Sequence, residues 1–495
     1  MADEPSAGRA QGKIIPLSSP WWTLVAAATA TFLVMLDGTA VVMALPGLRA
    51  ELDIDFSGQQ WVVAAHVAPL AVFLLTAGAL ADRFGHRSAF RLGALLFTAG
   101  SVAAGAAGTL PVLATARAFQ GVGSAFLLAA ASTLAAHVFP GPARGRAVRL
   151  LSTAAVLGLA FGPVVGGLLA EVDWRLVFLS VLPAGVMLQA IGKTQLRAVP
   201  PIASNALDWP GFTLSGACVA LVVLGLLRGQ ALGWTSTPIL AMFTAATFLL
   251  FVFLLAQRAR GDKAMLELAL FGNRAFLGVS LTTFVSAAIG LATVFLTTLH
   301  LQATLGYSPL ITGACLLPLA VALIGAALAT RGLVTKIPPG IAVGTSVLLI
   351  TIGAGLLGLI TPDSTWLGVL PSTLLVGAGM GMGTPLRHNL FARALDPAKA
   401  GTASRINETS HHLGLTVGIA GLGALFQYRF ITGLEQEGIT AAARTAMTTG
   451  IVRQASAASL GFVAITCVAV GAVFVLIAFT YVQRHHLHGP ATCES

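Results

Sequence analysis

The feature that most constrains this chain is a series of apolar runs of about 20 residues or more, which recur along almost its whole length. Each run is long enough to cross a lipid bilayer as a single helix. Hydrophobic residues make up 56% of the 495 residues and charged residues only 9%. A water-soluble protein of this size would need more polar side chains to cover its surface. The sequence therefore predicts an all-α polytopic membrane protein that lies in a lipid bilayer.

Fourteen such runs are separated by shorter polar segments. We predict spans at 21–46, 58–81, 88–107, 111–138, 146–170, 174–195, 209–230, 236–257, 274–301, 308–332, 339–360, 365–391, 399–428 and 456–482. The first run follows a polar segment and precedes no small-residue cleavage site. We therefore expect a retained helix and not a signal peptide.

The basic residues predict an orientation. With the N-terminus inside, twenty-one of the 28 lysines and arginines fall on inner segments, six fall on outer segments, and Arg117 lies within a helix. This excess agrees with the positive-inside rule and predicts cytoplasmic termini in the inner (plasma) membrane. The net charge of +10 is then a topology signal, because nucleic-acid binding would need a folded basic domain.

The predicted spans form three groups along the chain. Six precede residue 197, six follow residue 273, and two lie between them. We predict an N-terminal six-helix bundle at 1–197, a two-helix linker hairpin at 198–272, and a C-terminal six-helix bundle with a tail at 273–495. A partly helical outer loop is expected at about 429–455. The roles of this loop and of the hairpin stay open.

A charged segment between the second and third spans has the pattern G-x-x-x-D-R-x-G-x-R. Its members are Gly78, Asp82, Arg83, Gly85 and Arg87. A connection this short must hold its charges at the mouth of a helix hairpin, where ion pairs and helix dipoles can fasten one bundle to another. We predict the conformational latch of a transporter that moves between two states; an ordinary positive-inside loop is the alternative.

The fourth span carries an arginine deep in the membrane. Arg117 lies about six residues past Pro111, roughly 9 Å into the helix. An arginine at this depth is costly unless it faces a cavity or a carboxylate. A structural arginine that binds backbone carbonyls is the alternative.

The fifth span combines four glycines and a proline: Gly158, Gly162, Pro163, Gly166 and Gly167. Glycines four residues apart line one helix face and permit close helix contact, and the proline bends the axis. We predict a hinge helix that seals against leak, with generic tight packing as the alternative.

Two more ionisable residues lie at a similar depth to Arg117. Asp37 is about nine residues, or roughly 13 Å, from Pro46, and His66 is roughly 12 Å into the second span. A buried carboxylate can hold a proton near neutral pH and lose it when water or a cation arrives. We hypothesise that Asp37, His66 and Arg117 form one titrating cluster. A static aspartate and a histidine satisfied by packing are the alternatives.

The second half of the sequence has one acid inside a predicted helix. Glu408 lies about nine residues past Lys399, near 14 Å along the thirteenth span. It is a second candidate for proton or cation binding, although Arg405, one turn earlier, could neutralise it. We also expect a substrate cavity lined by five polar residues: Gln120, His300, Gln302, Asn407 and His411.

These motifs together resemble those of the major facilitator superfamily, and of its fourteen-helix drug:proton antiporter family in particular. The resemblance covers about residues 20–485 and is strongest at 36–46, 78–87, 113–123 and 158–178. Several positions depart from the family pattern: Met43 replaces an asparagine, His66 a tyrosine and His86 an arginine, and Glu408, His411 and His412 are further departures. We expect His86 to weaken the latch or to make it pH-sensitive.

The resemblance implies a function. It implies a proton-coupled antiporter that exports a hydrophobic, drug-like or antibiotic compound by alternating access, with Arg117 in proton coupling and the glycine-rich fifth helix typical of antiporters. The chemistry of the substrate stays open, because buried acids suit a cation whereas Arg117 and the histidines suit a neutral or anionic compound. We expect a monomer.

Other functions fit the sequence less well. A proton-coupled uptake symporter for a metabolite would not need the glycine-rich fifth span, and a non-transporting sensor would need no buried acids. The sequence has no Gly-Lys-Ser/Thr phosphate loop, which argues against ATP-driven export. Its histidines lack a joint spacing for a metal ion. We therefore expect no enzyme activity, no metal and no cofactor.

Overall fold

The computed structural model describes residues 20–139, 142–196, 208–261, 264–333, 337–394, 400–436 and 449–482. Within these residues the protein is helical, without a β-strand. Its α-helices in chain order are α1 (Pro20–Leu52), α2 (Phe56–Phe84), α3 (His86–Gly105), α4 (Leu110–Val138), α5 (Pro142–Val172), α6 (Trp174–Leu179), α7 (Leu182–Thr194), α8 (Trp209–Leu232), α9 (Thr237–Arg260), α10 (Arg274–Leu299), α11 (Pro309–Cys315), α12 (Leu317–Leu333), α13 (Pro339–Leu356), α14 (Trp366–Ala394), α15 (Ala400–Gln436) and α16 (Thr449–Tyr481).

The described helices provide fourteen spans of membrane length, which confirms the predicted number. Two of these spans contain a break within the hydrophobic run. Helices α6 and α7 share one span and separate just before Pro183, and α11 and α12 share another and separate before Pro318. Proline lacks a backbone N–H, which interrupts the helical hydrogen bonds at these points. The chain is a multipass membrane protein.

Close helix packing in the first half (α1–α7) depends on glycine. The main contacts join α1 to α5, α3 to α4, and α2 to α4. A Cβ atom on Gly121 of α4 would overlap the carbonyl oxygen of His66 on α2, and one on Gly123 would overlap the backbone of α3 at Phe97. These two glycines let α4 lie directly against both of its neighbours.

The second half (α10–α16) is packed in a similar way. Its main contacts join α10 to α15, α14 to α12 and α13, and α13 to α16. Gly414 and Gly418 lie four residues apart on α15 and meet the carbonyl oxygens of Phe284 and Ala288 on α10. Helix α15 can therefore approach the backbone of α10 closely.

The two halves meet along α2 and α15, which run antiparallel. We call the end of the molecule that carries Asp82 the Asp82 end and the opposite end the Glu51 end. Towards the Glu51 end, Gln60 Nε2 donates a hydrogen bond to the Ile419 carbonyl oxygen at 2.7 Å. A second contact between the halves lies at the same end, where the Leu310 N–H of α11 donates to Glu171 Oε2 of α5 at 2.9 Å.

Helices α8 and α9 pack on each other, and α8 also contacts α2 and α15. Asp208, just before α8, joins their ends. Its carboxylate accepts hydrogen bonds from Gly211 N at 2.9 Å, Gln257 Nε2 at 2.6 Å, Arg260 Nη1 at 2.9 Å and Met265 N at 3.0 Å. Burial alone would raise the pKa of the Asp208 carboxyl, but these hydrogen bonds and the Arg260 charge lower it below its ordinary value.

The predicted outer loop at 429–455 is helical at both of its ends, because α15 continues to Gln436 and α16 begins at Thr449. Residues 437–448 lie outside the described residues. Several basic residues that were counted for the predicted orientation also lie outside them: Arg9, Lys13, Arg197, Lys263, Lys336, Lys399, Arg444 and Arg484.

Candidate functional site

Asp37 lies at the centre of a hydrogen-bonded cluster between α1 and α4. Arg117 Nη1 donates to Asp37 Oδ2 at 2.6 Å, and Gln120 Nε2 donates to Asp37 Oδ1 at 2.9 Å. Arg117 Nη1 also lies 2.6 Å from Gln120 Oε1, to which it donates. Arg117 and Gln120 can both reach Asp37 because residues three apart share a helix face. We call Asp37, His66, Arg117 and Gln120 the Asp37 cluster.

The cluster is sealed within the first half, and each of its side chains is at most 1% exposed. Arg117 Nε donates to the Val62 carbonyl oxygen at 3.2 Å, and its guanidinium carbon lies 5.5 Å from the centre of the Phe178 ring. Gln120 Nε2 makes a second hydrogen bond to Ser101 Oγ at 2.7 Å. A buried ion pair needs such additional partners, because its charges have lost their water.

His66 stands beside this ion pair without a hydrogen bond to it. Its Nδ1 lies 3.7 Å from Asp37 Oδ2, and neither ring nitrogen is hydrogen-bonded to any described residue. His66 is held close because Gly121 lets α4 lie against its backbone. His412 of α15 is near enough to interact electrostatically with this imidazole. His66 therefore lies beside the ion pair and within electrostatic range of the second half.

The structure brings Asp37, His66 and Arg117 together, as the sequence hypothesis requires. Gln120, which the sequence analysis assigned to the substrate cavity, instead lies inside the cluster with both of its amide atoms bonded. Its spacing of three residues from Arg117 is the signal that could have placed it there. Ser101 was missed, and a lone serine in an apolar span gives no such signal.

Three predicted residues lie on α15, which packs against α2 and α10. Asn407 is 3% exposed and His411 is 6% exposed, four residues apart on one helix face, whereas Glu408 is half-buried on another. Arg405, which we considered as a partner for Glu408, donates from Nη1 to Asp82 Oδ2 at 3.0 Å. Within the described residues, no group of three His, Cys, Asp or Glu side chains is arranged to hold a metal ion.

The predicted latch joins the two halves through one ion pair. Asp82 of α2 pairs with Arg405 of α15, and His86 Nε2 lies 3.3 Å from Asp82 Oδ1. A Cβ atom on Gly78 would overlap the Arg405 side chain, so the glycine lets the arginine lie across α2. Gly85, between α2 and α3, has a φ angle of +92°, which favours glycine.

Among the described residues, the partners of the two latch arginines lie in the first half. Arg87 donates from Nε to the Gly192 carbonyl oxygen at 3.0 Å and from Nη2 to the Lys193 carbonyl oxygen, at the C-terminal end of α7. This position suits a cation, because the last carbonyl groups of a helix lack partners within it. Arg83 is exposed, with its guanidinium carbon 5.6 Å from the Phe84 ring centre.

The glycines of α5 face two different helices. Three of them would overlap α1, in the same half, if they carried a Cβ atom: Gly158, Gly162 and Gly166. A Cβ atom on Gly167 would instead overlap the Pro309 carbonyl oxygen of α11, in the second half. The carbonyl oxygen of Pro163 meets Gly313 of α11 in the same way. Pro163 and Gly167 of α5 therefore form the contact with α11 of the second half.

The last two predicted cavity residues lie where α10 ends in a π-helical turn, His300–Thr304, which we call the π-segment. His300 Nδ1 lies 3.4 Å from Ser456 Oγ of α16, and Thr304 Oγ1 donates to the same hydroxyl at 3.1 Å. Gln302 faces α1, where its Nε2 lies 3.4 Å from the Met43 carbonyl oxygen. His300 and Gln302 thus contact different helices.

Buried charges that are bonded to one another across membrane spans are typical of transporters, and the comparisons agree. A family model described as Major Facilitator Superfamily matches residues 27–419. The chain belongs to this superfamily of transporters, as its motifs predicted.

Its relatives include drug and antibiotic exporters. The chain is 30% identical over 407 residues to the multidrug resistance protein Stp of Mycobacterium tuberculosis. The aligned region covers 81% of this chain and 75% of the relative. It is 31% identical over 437 residues to a probable actinorhodin transporter of Streptomyces coelicolor, with 83% and 73% covered. It is 32% identical over 414 residues to the puromycin resistance protein pur8 of Streptomyces alboniger, with 81% and 80% covered.

Solved structures agree on the fold. A bacterial homologue of the human lysosomal transporter Spinster, inward-facing and unoccupied, superposes with a TM-score of 0.65 at 16% identity, covering 96% of this chain and 100% of that one. A D-xylose–proton symporter superposes with a TM-score of 0.64 at 15% identity, covering 94% and 99%. At these identities the likeness concerns the fold alone, and it confirms the predicted fold class.

Proposed function

We propose that this protein is a proton-coupled antiporter that exports hydrophobic, drug-like or antibiotic compounds by alternating access. Its relatives are named for multidrug resistance, actinorhodin transport and puromycin resistance, which supports this class of substrate. The observation that carries the proposal is the ion pair between Asp37 and Arg117, buried among the spans. Ionisable groups at such positions are costly and commonly serve proton transfer.

Proton binding at Asp37 would change the balance of charge in the cluster. A neutral Asp37 leaves Arg117 with the Gln120 amide, the Val62 carbonyl group and the Phe178 ring, but without a counter-charge. An uncompensated buried guanidinium is strongly destabilising, so the protonated state favours a rearrangement that gives Arg117 water or a substrate group. Release of the proton restores the ion pair. Proton and substrate thus compete for one set of groups, and His66 and Glu408 are further proton-binding candidates.

The contacts between the halves would break and form as access alternates. The Asp82–Arg405 pair, with Gly78 beneath it, holds the halves together at the Asp82 end, whereas Gly167 and Pro163 of α5 meet α11 at the Glu51 end. Opening at either end must separate one of these contacts. The remaining glycines of α5 keep it against α1, so the two helices would move as one unit.

The positive-inside count supports an orientation with the Asp82 end in the cytoplasm, both termini cytoplasmic and the protein in the inner (plasma) membrane. In this orientation a proton enters at the Glu51 end. Each elementary charge that crosses 100 mV supplies about 2.3 kcal/mol to drive export. The division at 1–197, 198–272 and 273–495, and the monomeric state, remain parts of the proposal.

Everted membrane vesicles with an acidic interior test the proposal directly. We expect the wild-type protein to accumulate rhodamine 123, a hydrophobic dye, when the pH gradient is imposed, and Asp37→Asn to reduce accumulation to the level of vesicles without the protein. Asp53→Asn is the matched control, because Asp53 is exposed and has a φ angle of 50°, which asparagine adopts readily.

Several outcomes would contradict the proposal. Gradient-driven accumulation that survives in the double variant Asp37→Asn/Glu408→Gln would remove its basis. Accumulation only under the opposite gradient would favour the uptake symporter. If expression of the protein leaves the susceptibility of cells to every compound in a drug panel unchanged, the non-transporting sensor is favoured.

A further inference from the structure

We propose that the second half carries a binding site for an anionic group, formed by the π-segment of α10 and the first turns of α16. Its members are His300, Thr304, Arg453 and Ser456, which we call the π-segment site. The inference rests on the proposed function in one respect, since the acidic group of an exported compound is one source of the anion. A phospholipid phosphate is the other source with the same chemistry.

Two hydroxyl groups position the His300 imidazole at Nδ1. Thr304 Oγ1 donates to Ser456 Oγ at 3.1 Å, and His300 Nδ1 lies 3.4 Å from the same oxygen. When Ser456 donates to Nδ1, the neutral imidazole carries its proton on Nε2, and a protonated imidazole also carries one there. In both of these states His300 presents an N–H donor at Nε2 while it is only 4% exposed.

His300 Nε2 makes no hydrogen bond with any residue that the structure describes, and the same is true of Arg453 Nε. Arg453 is half-buried and lies three residues before Ser456 on the same face of α16, and Ser456 is the residue that contacts His300. Two buried donors, one of them on a permanent cation, together call for an acceptor with negative charge, because a desolvated N–H without a partner is costly.

The local backbone gives a second indication. Helix α10 leaves its regular hydrogen bonding at His300 and continues as a π-helical turn to Thr304, and such turns are frequent at functional sites. The turn directs His300 and Thr304 to α16, where they share Ser456. The hydroxyl groups therefore hold the imidazole, and the turn presents it beside Arg453 at the Glu51 end.

Two dyes with the same xanthene skeleton and opposite charge test the charge preference. The purified full-length protein in neutral detergent is titrated against fluorescein, an anion, and rhodamine 123, a cation, with fluorescence anisotropy as the readout. We expect Arg453→Gln to weaken fluorescein binding at least about tenfold, the loss typical of a hydrogen bond to a charged group. Rhodamine 123 binding should change less than about twofold.

Two further variants separate the site from general effects. Arg429→Gln is the matched control, because Arg429 is also half-buried and packs over an aromatic ring, with its guanidinium carbon 5.8 Å from the Phe462 ring centre. We expect it to bind fluorescein like the wild-type protein. His300→Leu should weaken fluorescein binding about as much as Arg453→Gln, whereas His300→Gln, which keeps an N–H donor, should weaken it less.

The source of the anion follows from a repeat of the titration in nanodiscs. If a lipid phosphate occupies the site, phosphatidylglycerol nanodiscs will lower fluorescein affinity relative to phosphatidylcholine nanodiscs, in the wild-type protein but not in Arg453→Gln. Equal affinity in the two lipids indicates a free acidic ligand. Either result agrees with an anion site.

Three results would overturn the inference: no fluorescein binding by the wild-type protein, fluorescein binding that Arg453→Gln leaves unchanged, or equal weakening of both dyes. These outcomes are independent of the test of export. Asp37→Asn is expected to stop proton-driven accumulation and to retain fluorescein binding. Failure of the proposed function and failure of the anion site can therefore be told apart.

Discussion

The Asp37 cluster of the first half and the π-segment site of the second half differ in their charge. In the Asp37 cluster, cation and carboxylate face each other, and both amide atoms of Gln120 are bonded. In the π-segment site, one arginine, one imidazole and two hydroxyl groups come together without a carboxylate. Nitrogens without a hydrogen bond to the described residues occur in both places, at Arg117 Nη2 and His66 in the first and at His300 Nε2 and Arg453 Nε in the second. The Asp37 cluster thus holds a balanced charge pair, whereas the π-segment site contains a cation and no acid.

Because of this difference, we expect the two sites to respond to different species. A balanced pair responds to the loss or gain of one proton, because either change leaves a charge uncompensated. An unbalanced set of donors responds to the arrival of an acceptor. We infer that the Asp37 cluster responds to the proton, whereas the π-segment site responds to an anionic group of the compound or of a lipid.

The first prediction concerns the backbone contact that supports the Asp37 cluster. Gly121→Val should prevent folding, because its side chain would overlap the His66 carbonyl oxygen and force α2 away from α4. Gly38→Ala is the control, since a Cβ at that position meets nothing within 4 Å. Fluorescence-detected size-exclusion chromatography measures the folded fraction. A folded, active Gly121→Val protein would show that the cluster tolerates loose packing.

The second prediction compares two buried glutamines. Gln120→Leu removes hydrogen bonds to both Asp37 and Arg117, and bonds to charged groups contribute about 1.5–3 kcal/mol each, so we expect a loss of roughly 3 kcal/mol in unfolding free energy. Gln302→Leu removes one long bond to a neutral carbonyl and should cost about 1 kcal/mol or less. Thermal unfolding of the purified variants measures both. Equal losses would contradict the contrast between the halves.

The third prediction separates proton sensing from ligand selection with two histidines. His66→Gln should shift the midpoint of the transport–pH profile by more than about 0.5 unit, because it removes a titratable group 3.7 Å from Asp37. His300→Gln should leave that midpoint in place and raise the KM for an anionic substrate. His66→Tyr, the residue usual in the family, serves as a second variant. An unchanged profile in both His66 variants would remove His66 from the cluster's function.

The fourth prediction uses a buried carboxylate that belongs to neither site. Asp208→Asn should destabilise the protein by about 1–2 kcal/mol near neutral pH, because one uncharged oxygen and an amide replace a charged acceptor of four hydrogen bonds. Proton-driven transport by the variant should persist, unlike transport by Asp37→Asn.

The pH dependence of this effect has a definite sign. The pKa of Asp208 is lowered in the folded protein, so its stabilisation is complete above the ordinary value of about 3.9 and is lost as the pH falls through the lower folded-state pKa. The difference between Asp208→Asn and wild type should therefore shrink below about pH 4. Asp363→Asn, at an exposed position, should match wild type throughout. A difference that stays constant to acidic pH would contradict the ionic role of Asp208.

Much of the fold could be predicted from the sequence, because membrane thickness sets the length of a span. Apolar runs of that length can be recognised without knowing which neighbour each side of the helix faces. The fourteen spans are such a case. The breaks before Pro183 and Pro318 could not be placed with the same rule, since the hydrophobic run continues through them. Depth arithmetic also brought Asp37, His66 and Arg117 to one level.

The sequence does not determine how each helix is rotated about its own axis. Depth places a residue along the membrane normal but does not determine which neighbour it faces. Arg405 therefore seemed a partner for Glu408 on its own helix, whereas it reaches Asp82 on α2. Arg453 lies in a segment predicted as an outer loop. It could not be placed near His300, because its position depends on where α16 begins.

The contact between Gly78 and Arg405 links two residues that are distant in the sequence. A residue larger than glycine at 78 would displace the arginine side chain, and without that side chain the space above Gly78 would stand empty beside an uncompensated Asp82. Substitutions at either position should therefore be accepted only in concert with the other. In homologous sequences, we expect the residues at positions 78 and 405 to covary, even though more than three hundred residues separate them.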